Sequence, residues 1–178
     1  WHRQPDQPPA GQRRIENGVA VTRCRHYIPA DPTGFRRILH LLSFSLAALV
    51  PSLKAARRLR PDVVFTPAPS LLGVPVAWLA AKLSGAKLWV HVQDFEVEAA
   101  FATGLLGGGM LGRIARALEI RLLALGDRVS AISPQMVARL LAKGVPAERT
   151  YELRNWANGH FAPDPAGAQD YRREWGLG

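Results

Sequence analysis

The chain has 178 residues, 48% of them apolar and 21% charged, enough to bury roughly 70% of the unfolded surface around one core without staples. Its single cysteine, Cys24, excludes an internal disulfide and sits in no metal-ligand or Cys/His nucleophile spacing, which suits a reducing compartment. The formal charge of +9 is local, since residues 1–60 hold eleven Lys and Arg against three acids and the remainder twelve against eleven; that segment is expected to meet a polyanion, either nucleic acid or an anionic membrane surface.

In chain order, WHRQPDQPPAGQRR carries neither an initiator Met nor the apolar core of a signal peptide, and the far end stops at REWGLG; both ends are expected to be cut. VAVTR (19–23) is short and β-branched and predicts a strand. Residues 35–60, FRRILHLLSFSLAALVPSLKAARRLR, follow with a helical pattern bracketed by Arg36 and Arg37 before it and Lys54, Arg57, Arg58 and Arg60 after it. The apolar run from Ile38 to Leu53 is interrupted by His40, Ser43, Ser45 and Pro51, and it falls short of the roughly 20 residues that span a bilayer. Two readings stay open and can coexist: a helix buried on a sheet face, or one lying in an interface with its cations on anionic lipid. Because these cations alternate with leucine rather than with exposed aromatics or base-reading amides, no nucleic-acid partner is expected.

Beyond residue 60 the chain alternates between two periods. DVVFT (62–66), AKLWVHV (86–92), DRVSAI (127–132) and residues 149–153 read as strands. Residues 71–85, 110–126 and 134–144 read as helices that stop at Gly85, Gly126 and Gly144, and Ser133-Pro134 supplies an N-cap followed by proline in the first turn. Such alternation implies right-handed crossovers and an α/β, doubly wound parallel sheet of Rossmann-like type. The Pro/Gly/Asp-rich stretch 158–170 reads as a linker, dividing an acceptor-side domain (1–157) from the start of a further one (158–178).

The densest chemistry lies in LWVHVQDFEVEAA (88–100), where an apolar strand ends in His91, Gln93, Asp94, Glu96 and Glu98. Open parallel sheets bind ligands outside the carboxyl ends of their strands, where this cluster would lie. The same residues also suit a solvated loop and a capped helix start. The glycines at 107–109 follow no strand and lack a phosphate-cradle pattern, so they read as a loop. No pair of histidines has ligand spacing on one helix face, and no structural metal is expected.

Several segments together resemble the N-terminal half of retaining GT-B glycosyltransferases of family 4, nearest the bacterial colanic-acid and exopolysaccharide branch. The segments are ENGVAVTRCRHYIP (16–29), TGFRRILHLLSFSLAALV (33–50), residues 60–106 with HVQDFE, RVSAISPQMVARLLAKGVP (128–146) and RNWAN (154–158). The resemblance implies the acceptor-binding half of an enzyme that transfers a sugar from a nucleotide-sugar to a lipid-linked, polyprenyl-diphosphate saccharide at the inner face of the cell membrane. It also implies that the family's first strand and donor-binding second domain lie outside this chain, which alone should be inactive and bind no cofactor. Asp94 is then expected at the reacting centre with His91 as a proton-transfer candidate, because Gln93 stands where many members carry His and cannot titrate. Gln93, Glu96 and Glu98 would bind acceptor hydroxyls, and Asn155, with Trp156 beside it, would lie near the interdomain crossing, although a turn Asn and a packed Trp fit as well. Two competing classes are a non-catalytic membrane anchor that recruits a separate catalytic glycosyltransferase, and a basic nucleic-acid-binding α/β module.

Overall fold

Four apolar segments pair side by side, all parallel, in the computed structural model, which describes residues 13–31, 34–68, 71–95, 109–156 and 165–176. They are β3 (Val63–Ala68), β4 (Lys87–Val92), β5 (Arg128–Ala131) and β6 (Thr150–Glu152), and they lie in chain order. Register places Thr66 opposite Val90, His91 opposite Ser130, and Ser130 opposite Tyr151. Pro67 cannot donate to a ladder, and it sits on the edge strand, where that defect is tolerated. The parallel α/β sheet expected from the periodicity is therefore present.

Three helices pack on one face of this sheet: α2 (Val74–Ser84), α3 (Met110–Ala124) and α4 (Pro134–Ala142). Alternation along the strands sends Leu88, Val90 and Val92 of β4 and Val129 and Ala131 of β5 to that face, where they form one core with Val74, Ala81, Leu123 and Leu140. The helix ends are set locally. Gly85 adopts φ 74° after α2 and Ala86 N–H closes onto Ala81 O at 2.9 Å; Gly144 adopts φ 87° after α4 and Val145 N–H reaches Leu140 O at 3.1 Å. Ser133 Oγ accepts from Met136 N–H at 3.3 Å, with Pro134 opening the helix. Gly126 serves another purpose than helix termination: a Cβ there would lie 2.9 Å from Arg128 O and 3.2 Å from methyls of Val90 and Val129.

Three expectations are corrected. VAVTR does not join the sheet; Val19–Thr22 (β2) pairs antiparallel with Arg13–Glu16 (β1) in a separate hairpin. Asn17 and Gly18 both adopt positive φ at its tip, the two-residue turn whose twist suits a hairpin, so local pairing replaces insertion between buried strands. The long helix α1 (Gly34–Leu59) rests on α2 and on the 3-10 turn Leu71–Gly73 rather than on a sheet face. At 26 residues it is also longer than its uninterrupted apolar run, and by length and composition alone it could cross a bilayer. It ends where Arg60 turns to φ 44° ahead of Pro61. Finally, part of the stretch read as a linker is helical, α5 (Pro165–Glu174), opened by a first-turn proline.

Candidate functional site at the carboxyl edge of the sheet

Because all four strands are parallel, their carboxyl ends share one edge. Gln93 and Asp94 follow β4 there, Ser133 and the N-terminus of α4 follow β5, and Asn155 and Trp156 follow β6. With β5 between them, the segments after β4 and β6 are about 10 Å apart, a width that a sugar ring can bridge. Asp94 is exposed and Gln93 half-buried. Asn155 is exposed, and Trp156 is 81% exposed, so the packed-indole reading does not hold. Arg154 is held by the Glu152 carboxylate, which closes the last strand. Glu96, Glu98 and Gly107–Gly108 lie outside the described residues; Gly109 forms the extended N-cap of α3.

His91 occupies a different place from the one its sequence neighbours suggested. Its side chain points to the sheet face away from α2, α3 and α4, is 4% exposed, and stacks on Phe65 at 5.6 Å. Ser130, directly opposite on β5, accepts from Trp89 Nε1–H at 2.8 Å and lies 2.9 Å from His91 Nδ1. Burial pushes the His91 pKa down and favours the neutral ring. His91 thus joins an aromatic network with Phe65, Trp89 and Tyr151 that fixes β4 from below. Strand alternation and burial hold the ring on this face of β4, beside Ser130 and Phe65.

A second support was not foreseen. Phe95, next to Asp94, is buried in the core under the Lys143 ammonium, whose Nζ lies 5.0 Å from the ring centre and 2.7 Å from Glu119 Oε2. Glu119 is buried on α3 and its other oxygen, Oε1, has no hydrogen-bond partner. One signal was available: a lone acid on the apolar face that carries Leu122 and Leu123 needs a cation close by. The loop bearing Asp94 is therefore anchored by His91 on one side and Phe95 on the other.

The Asp94 carboxylate can accept hydrogen bonds from hydroxyls, and the amides of Gln93 and, across the edge, Asn155 can both accept and donate them. Among the described residues no three His, Cys, Asp or Glu side chains converge as metal ligands. The cations singled out on α1 and just after it, Arg36, Arg37, Lys54, Arg57, Arg58 and Arg60, are all exposed, and so are Phe35, Leu39, Leu42, Leu46 and Val50 of the helix.

Residues 3–156 match the family described as glycosyl transferase 4-like domain. The chain is also 40% identical over 148 residues to the "Putative colanic acid biosynthesis glycosyl transferase WcaI" of Escherichia coli (strain K12). That alignment covers 82% of this chain and 36% of the relative, so the chain spans about a third of that protein's length. With the parallel α/β sheet and its polar carboxyl edge in place, these matches show that the chain belongs to the glycosyl transferase 4-like domain family.

Proposed function

We propose that this chain is the acceptor-binding half of a retaining glycosyltransferase of exopolysaccharide assembly. The complete enzyme transfers a hexosyl group from a nucleotide-sugar to a lipid-linked saccharide at the cytoplasmic face of the cell membrane. Family membership and the colanic-acid relative support the class of reaction. The observation that carries the assignment of the site is the exposed Asp94 carboxylate at the end of a central strand, anchored on both sides by buried neighbours. In this reading Asp94 orients the reacting hydroxyl, Gln93 and Asn155 hold neighbouring hydroxyls, and the donor is bound by the part of the protein beyond this chain. The exposed apolar and cationic side chains of α1 support a peripheral membrane location.

The test is transfer by the full-length enzyme carrying Asp94→Asn. Turnover should fall about 100-fold, the size expected when a reacting group loses its orientation, while nucleotide-sugar affinity stays within twofold or so. Unchanged turnover would remove Asp94 from the site.

A further inference from the structure

The N-terminal half of α3 presents an apolar surface that the proposed reaction does not use. Met110 and Leu111 are 64% and 63% exposed, and Ile114 and Leu118 continue the same stripe at helical spacing. Arg113 and Arg121 are exposed beside it. The one acid of this helix, Glu119, is buried against Lys143, so every charge that α3 shows to solvent is positive. The long helix α1 has the same character: it contains no acid, and its exposed Phe35, Leu39, Leu42 and Leu46 lie on the same half as the exposed Arg36 and Arg37.

Topology brings these two surfaces to one end of the molecule. The helix α1 finishes beside the start of β3 and extends about 39 Å, whereas β3 extends about 20 Å, so the N-terminal half of α1 projects past the carboxyl edge. The helix α3 runs back toward the start of β5 and begins at that same edge. Both touch the 3-10 turn Leu71–Gly73, which lies just after β3.

We propose that the first turns of α3 and the N-terminal half of α1 enter one anionic bilayer surface together, holding the Asp94 edge at headgroup level. Two apolar stripes with cationic neighbours, on helices that expose no acid, match an anionic lipid surface: the apolar side chains enter the acyl boundary and the guanidinium groups meet the phosphates. A nucleic acid would leave the apolar stripes in water. The proposal rests on the peripheral membrane reading of α1 and adds a second, independent contact that orients the site.

The test uses the full-length protein and vesicles of phosphatidylcholine with or without phosphatidylglycerol. Leu111→Asp/Ile114→Asp should weaken partitioning onto the anionic vesicles about ten-fold, as should Leu42→Asp/Leu46→Asp, whereas Leu141→Asp on α4 should leave it unchanged. Loss with the α1 pair but not the α3 pair overturns this inference and leaves membrane binding through α1 standing. No loss with either pair overturns both. Where a double variant does not fold, an environment-sensitive fluorophore on Leu111→Cys, with other cysteines replaced, gives the answer. A blue shift on adding anionic vesicles supports insertion, and no shift, because the rest of the protein covers α3 or because it stays in water, overturns it.

Discussion

Two residues three positions apart, His91 and Asp94, meet different surroundings because one lies inside the strand and is buried and the other lies beyond it and is exposed. Desolvation, not a neighbouring charge, lowers the His91 pKa, and Ser130 lies within hydrogen-bond distance of Nδ1. The unfolded chain takes up a proton at His91 as the pH falls through about 6.5, while the folded chain resists until its lower pKa is reached. Folded stability therefore declines with acid through that window. His91→Gln, which keeps a polar partner for Ser130 but cannot titrate, should flatten the decline in urea midpoints measured below about pH 6.5. An unaltered slope would mean that His91 is not the group responsible. Sequence could place His91 in β4, because its apolar neighbours mark a buried strand. It could not place Ser130 39 residues away beneath the ring, since only strand register brings them face to face.

At the scale of elements, a buried ion pair joins α3 to the C-cap of α4. The Glu119 and Lys143 side chains are 1% and 16% exposed, so neither carboxylate nor ammonium is well hydrated, and the attraction is little screened. Lys143→Met removes at once the cation that pairs with the Glu119 carboxylate and the cation above Phe95. It should destabilise the fold by about 3 kcal/mol or more in urea unfolding, because a buried charge is left uncompensated. Arg154→Ala, which breaks the exposed pair with Glu152, should change stability by about 0.5 kcal/mol or less. Equal effects of the two substitutions would show that burial does not govern these pairs. The helices themselves were legible from their period and from Gly85 and Gly144. The seating of α1 was not, because a helix apolar on most sides contains no local mark of which neighbour it will meet.

Across the whole molecule, the formal charge of +9 comes almost entirely from residues 1–60. Arg36 and Arg37 of α1 and the arginines of α3 lie on helices whose exposed apolar side chains reach the carboxyl edge. Full-length protein should therefore bind anionic vesicles less tightly as ionic strength rises, since exposed charges are screened over about 10 Å at 0.1 M salt; a remainder that resists salt would report the apolar contacts. Binding indifferent to salt would argue against the cationic contribution. The sequence by itself determined the alternation of strand and helix, the family, and the edge to which Asp94 belongs. Those follow from short-range periodicity, turn chemistry and the rule that parallel strands end together. Tertiary structure decided that β2 folds into a hairpin, that α1 lies on α2, that His91 is buried beside Ser130, and that Glu119 meets Lys143. Each of these depends on which distant surfaces come into contact, and local pattern encodes the face a residue presents but not the partner that will cover it.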